Sequence, residues 1–100
     1  MKSENEILGQ KVSKTLDLPL KAKWYNLIES GVKTEEYREV KKHWDKRLLR
    51  YYSHVRFRYG YTKRTMTFKL KEITIDEGNP NWGAIPGEKY YVLKLGNRIK

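Results

Sequence analysis

Ser53-His54-Val55-Arg56-Phe57-Arg58-Tyr59-Gly60 is the stretch on which the architecture turns. Val55, Phe57 and Tyr59 point one way while His54, Arg56 and Arg58 point the other, the period of a strand with one buried face, and Gly60 ends it. On the C-terminal side, the stretch from Thr65 to Ile75 begins with Met66, Phe68 and Leu70 inward and then changes phase to Ile73 and Ile75. That change predicts a bulge or sharp bend near Lys71-Glu72. Residues 76–87 carry Gly78, Pro80, Gly83, Pro86 and Gly87 and read as a structured loop around Trp82, followed by a strand from Lys89 to Leu95 with Tyr91, Leu93 and Leu95 on one side. On the N-terminal side, Leu16-Asp17-Leu18-Pro19-Leu20 alternates as a strand that Pro19 confines to a sheet edge or end. Leu20, Trp24, Leu27 and Ile28 then share one helix face, which Ser30-Gly31 stops. A second short helix is expected from about Lys41 to Tyr51, with Trp44, Leu48 and Tyr51 inward and Lys42, Asp45, Lys46 and Arg50 outward. After residue 50 only the 76–87 loop is long enough for a crossover. The expected class is therefore α+β: a small curled β-barrel of mostly antiparallel strands with two to three short helices.

The chain has 100 residues, enough for one domain. Its hydrophobic fraction of 38% includes eight tyrosines, so the core must be small, while an aromatic content of 13% argues against disorder. Residues 1–14 read as a polar N-terminal arm with Ile7, Leu8 and Val12 as its apolar anchors, leaving residues 15–100 as the domain. No cysteine is present, which excludes disulfides and thiolate ligation, and His43 and His54 are the only imidazoles; neither a metal nor a cofactor is expected. Without a signal-like or membrane-spanning apolar run, the expected location is cytoplasmic with no membrane partner. A net charge of +10 on so small a domain points to a polyanion, nucleic acid before anionic membrane, although a lysine-rich surface also serves solubility.

Chemistry concentrates in Gly31-Val32-Lys33-Thr34-Glu35-Glu36-Tyr37-Arg38. In an extended chain Thr34, Glu36 and Arg38 share one face and Lys33, Glu35, Tyr37 and Glu39 the other, with Lys33 also able to approach from the turn after Gly31. Glu36 beside Arg38 offers a carboxylate acceptor and a guanidinium fork suited to a base edge and its phosphate; the same pair also reads as an internal salt bridge stiffening the wall. A second constellation is His54, Arg56 and Arg58 on the outer strand face with Tyr61, Lys63 and Arg64 in the turn. Cations interleaved with rings suit a single-stranded nucleic acid, though each residue alone also fits a solvated strand. Trp82 reads as a stacking platform or as a plug at the barrel end. No nucleophile elbow, phosphate-binding loop or metal-ligand spacing is present.

The form G-x-K-x-x-E-x-R directly after a predicted helix resembles the signature of the ASCH domain, a member of the PUA-like group of RNA-associated barrels. The run Glu36-Tyr37-Arg38-Glu39-Val40-Lys41 into Trp44, the strand Arg56-Phe57-Arg58-Tyr59-Gly60-Tyr61, the loop Gly78-Asn79-Pro80-Asn81-Trp82-Gly83-Ala84 and the strand Tyr90-Tyr91-Val92-Leu93-Lys94-Leu95-Gly96 extend the resemblance over roughly residues 15–96. It implies a PUA-like barrel whose cleft, lined by the signature, recognises RNA or a modified nucleotide. The ligand-binding candidates are then Lys33, Glu36 and Arg38, with Arg56, Arg58, Tyr61 and Trp82 from the residue reading. Some ASCH-like proteins remove acyl groups from N4-acylated cytidine and others cleave RNA. The amidohydrolase branch uses a lysine, a threonine three positions later and a more distant glutamate; here Lys33 matches, but Glu36 holds the third position and Thr34 is adjacent to the lysine. A hydrolase would instead use Glu36 as general base and Lys33 to polarise the oxyanion, as catalytic residues. Both classes, binding module and small hydrolase acting on RNA or acylated nucleosides, remain open at this point.

Overall fold

The structure is a computed structural model describing residues 14–100, so the expected arm lies outside the described residues except for Lys14. The elements are β1 (Thr15–Leu20), α1 (Ala22–Glu29), β2 (Glu35–Glu39), α2 (Lys42–Leu48), β3 (His54–Tyr59), β4 (Thr65–Glu77), a 3-10 turn (Pro80–Trp82) and β5 (Lys89–Arg98). The strands form one five-stranded sheet in the order β1-β3-β4-β5-β2. β3–β4, β4–β5 and β5–β2 are antiparallel, whereas β1 and β3 run parallel, so the sheet is mixed. The parallel pair arises because the chain passes through α1, β2 and α2 before it returns beside β1, a crossover long enough to reverse direction twice.

The alternations read from the sequence build the core. Leu16, Leu18 and Leu20 of β1, Val55 and Phe57 of β3, Met66 and Phe68 of β4, and Tyr91, Leu93 and Leu95 of β5 meet Tyr25 and Ile28 of α1 and Leu48 of α2. Each such aliphatic or phenyl side chain taken fully from water contributes about 1.5–3 kcal/mol. The sheet curls at β4, where the register with β5 shifts twice. Gly96 and Asn97 together stand opposite Lys69, and Lys71 then stands opposite no residue, so two bulges of opposite sense fall within a few residues. This matches the expected bend.

Three expectations are corrected. Ile75 is 53% exposed instead of inward, because β3 pairs with β4 only as far as Lys69 and leaves the far end of β4 without a strand on that side, while Ile73 still packs on the core. α2 stops at Leu48; Tyr51 lies beyond it and is exposed. Asp45, expected on the outer face, turns inward and accepts a hydrogen bond from the Tyr91 hydroxyl, which ties α2 to β5.

The sheet curls only halfway to a barrel, leaving β1 and β2 as its two edges. Pro19 is at home on β1 because an edge needs no N–H there. Side chains bridge the open seam in place of a strand ladder. Arg38 of β2 donates to the Pro19 carbonyl at 3.2 Å and Arg47 of α2 donates to the Asp17 carbonyl at 3.1 Å. Among the described residues no helix is long and apolar enough to cross a membrane.

Candidate functional site

α1 ends where Gly31 takes φ +84, a left-handed conformation that glycine adopts without strain. The Lys33 N–H then bonds back to the Leu27 carbonyl at 3.0 Å, which fixes the turn and directs the lysine side chain under the ring of Trp24. Lys33 is only 2% exposed; its Nζ lies 4.5 Å from the Trp24 ring centroid and donates to Glu36 Oε1 at 2.5 Å. Glu36, also buried, receives Arg38 on its other oxygen, Oε2, at 3.0 Å. Strand alternation puts Glu36 and Arg38 on one face as expected. Alternation alone would send Lys33 to the opposite face, but β2 begins only at Glu35, so the lysine comes in from the turn.

Arg38 carries a second set of contacts. Its guanidinium lies 5.1 Å from the Trp44 ring centroid, and Arg47 lies 5.4 Å from the same ring, so one indole meets two cations at the seam. Burial pulls the Arg38 pKa below its ordinary value; Glu36 opposes that shift and Arg47 adds to it. The group nonetheless stays charged. Its Nε is buried with no hydrogen-bond partner.

The third wall is a loop held by Tyr37. The Tyr37 hydroxyl accepts from the Asn79 N–H at 2.9 Å and donates to Glu35 Oε1 at 2.8 Å. Its pKa is pushed up to about 12, chiefly by burial and also by the neighbouring Glu35 carboxylate, against a smaller opposing effect of the Asn79 N–H. Two glycines let the loop sit this close. A Cβ on Gly78 would come within 2.8 Å of the Tyr37 ring, and one on Gly83, at φ +98, within 2.9 Å of the Trp24 ring.

Together these elements enclose an open cleft of about 480 Å³ whose walls include Trp24, Trp44 and Trp82 around Lys33, Glu36 and Arg38. The chain has three tryptophans, and all of them line this cleft. A second depression of about 630 Å³ shares Trp24, Glu36 and Arg38 and runs past Pro19 to Tyr61, which is 95% exposed.

The structure thus brings together Lys33, Glu36, Arg38 and Trp82, with Tyr61 at the margin. Arg56 and Arg58 line neither depression. Arg56 makes a two-pronged contact with Asp17 at 2.5 and 3.0 Å, and Arg58 donates to the Thr62 carbonyl at 3.1 Å within its own hairpin. Sequence reasoning misses Trp24, Trp44, Tyr37 and Arg47 as site residues. Periodicity places Trp24 and Trp44 on the core faces of their helices, and each is half-buried: Trp44 packs on the core as well as on the cleft, whereas the Trp24 ring lies between Lys33 and the Gly83 loop. A tryptophan flanked by cations, as in Lys23-Trp24 and Trp44 before Lys46-Arg47, is the one signal that marks them. Among the described residues no group of three or more His, Asp or Glu could hold a metal ion. No family model, no curated protein and no solved structure matches the chain.

Proposed function

We propose that the protein is an RNA-binding module that takes a nucleobase into the tryptophan-walled cleft. The observation that carries this reading is the convergence of all three tryptophans on the Lys33–Glu36–Arg38 cluster. Flat indole faces stack a base, and each stacked base contributes about 1–3 kcal/mol regardless of its identity. Arg38 supplies the polar reading, because its guanidinium lines the cleft and stays partly accessible beside Glu36, a forked donor for an acceptor on the base edge. The resemblance of the signature to the ASCH family supports the same cleft and the same class of ligand.

The hydrolase reading is weaker on chemistry. A general base needs an oxygen free to take a proton, and both Glu36 oxygens already accept from cations. The test uses the tryptophans themselves. Titration with nucleosides and short single-stranded RNAs is expected to quench indole fluorescence, and Trp82→Ala to weaken binding by about 5- to 150-fold, the worth of one stacked base. Absence of quenching across the whole panel refutes the reading. Mass spectrometry on the same mixtures covers the alternative: cleavage of RNA or of an N-acylated nucleoside, abolished in Lys33→Ala/Glu36→Ala, makes the protein a hydrolase.

A further inference from the structure

The cleft cannot account for the charge of the chain. Lys33 and Arg38 on its walls face Glu36, Glu39 and Glu88, so its own charges nearly cancel, while the chain carries +10. That balance suits a neutral heterocycle and leaves the phosphates without a partner.

At the other end of α2 lies a second groove, of about 610 Å³, between the connector that follows α2 and the bulged stretch of β4. Arg50, Lys69 and Lys71 border it, all exposed, and none of the three makes an ion pair within the described residues. Glu72, the acid among the lining residues, is already held by Lys94 at 3.2 Å. The double bulge creates this arrangement: Lys69 and Lys71 pass close over Gly96, where a Cβ on β5 would come within 3.3 Å of Lys69 and press on it. Tyr51 adds a ring that is 60% exposed. Here unpaired cations stand around an accessible ring, whereas on β3 the arginines are engaged by Asp17 and Thr62.

We propose that this groove holds the phosphodiester backbone of the same single-stranded RNA whose base enters the cleft. The proposal rests on the cleft reading for the identity of the strand. α2 connects the two places: Trp44 lines the cleft, Leu48 lines the groove, and the rise of four residue steps from one to the other is about 6 Å of helix. The strand therefore passes over α2 and the β4 bulge, not along the outer face of β3.

The experiment measures anisotropy of a fluorescein-labelled oligouridylate over a range of salt concentrations, with circular dichroism to establish that each variant is folded. Arg50→Gln/Lys69→Gln/Lys71→Gln is expected to lower the slope of log K against log salt by about 2, at roughly 0.7 for each phosphate no longer neutralised on a single strand. Arg56→Gln/Arg58→Gln is expected to leave the slope unchanged. An unchanged slope in the triple variant overturns the proposal, as does a fall in slope confined to the β3 variant. Equal affinity of the wild type for a polyglutamate peptide also overturns it, in favour of an acidic protein partner. The two readings separate cleanly: a slope that falls in the triple variant while tryptophan fluorescence ignores every nucleoside keeps the groove and refutes the cleft, and the reverse result keeps the cleft and refutes the groove.

Discussion

β2 and β3 both carry alternating charge, yet the two strands dispose of it in opposite ways. On the β2 side the charges turn inward, where Lys33 and Glu36 are buried and bonded to each other and Glu36 also holds Arg38. On β3 they turn outward, and Arg56 pairs with Asp17 with both side chains near half exposed. The difference follows from what covers each face. The α1 turn, Trp24 and the 78–84 loop roof over the β2 side, whereas the outer face of β3 around Arg56 is open to water. A charge in water gains little from a partner, while a charge out of water cannot do without one.

The sharpest way to break this comparison is to remove one buried partner. Glu36→Gln leaves the Lys33 ammonium with no carboxylate and should cost about 3–5 kcal/mol, read from the shift of the denaturant midpoint. Replacing Lys33 and Glu36 by apolar residues of similar volume, Lys33→Met/Glu36→Leu, should recover part of that stability, since Arg38 still loses its carboxylate, while abolishing ligand binding. If Glu36→Gln unfolds no more easily than Arg56→Gln, the distinction between the strands is wrong.

A second, smaller effect compares a glycine in the loop that roofs the β2 side with the glycine that ends β3. Gly83→Ala meets both a left-handed φ and the Trp24 ring at 2.9 Å, whereas Gly60→Ala meets a left-handed φ of +56 and open space. Gly60→Ala should cost about 1–2 kcal/mol, the left-handed strain alone. Gly83→Ala should cost more and should also weaken tryptophan quenching by ligand, since the cleft wall must shift. Equal costs would mean that the loop does not press on Trp24.

Next in size is Tyr37→Phe, which removes one acceptor from the Asn79 N–H and should cost about 1 kcal/mol at neutral pH. Its pH dependence sharpens the point. The folded pKa of about 12 exceeds the ordinary value of 10.0, so the protonated phenol stabilises the fold fully below pH 10 and that contribution is lost as pH rises towards 12. Wild type should therefore lose stability across that window relative to Tyr37→Phe. Parallel alkaline curves for the two proteins would show that Tyr37 ionises as freely in the fold as outside it.

Much of the fold is legible in local pattern. Val55, Phe57 and Tyr59 announce β3, the i, i+4, i+7, i+8 spacing of Leu20, Trp24, Leu27 and Ile28 announces α1, and the phase change around Lys71 announces the bulge. These depend on neighbours within a few residues. The parallel pairing of β1 with β3 and the bridging of the seam by Arg38 and Arg47 depend on partners about 20 to 40 positions away, which no local period encodes. The site divides the same way. Lys33, Glu36 and Arg38 are close in sequence and can be read as a group, whereas Trp24, Trp44 and Trp82 become one cleft only when the sheet curls. A half-buried tryptophan satisfies a core pattern and a ligand wall at once, so periodicity alone assigns it to the core.

The smallest expected effect belongs to the Arg56–Asp17 pair, and it completes the comparison. The contact is two-pronged and short, and the Asp17 partner raises the Arg56 pKa, yet the pair lies in solvent. Short distances there do not imply a large stabilisation, because water would solvate either ion alone and salt screens the attraction. A double-mutant cycle with Arg56→Gln and Asp17→Asn should give a coupling that fades as salt is raised, with no change in the RNA salt slope for either variant. The equivalent cycle on Lys33 and Glu36 should return a coupling that salt hardly touches. If the Arg56–Asp17 coupling proved as large and as salt-resistant as the buried one, packing around the outer face of β3 would have to exclude water after all, and the reason for excluding that strand from the RNA path would fall with it.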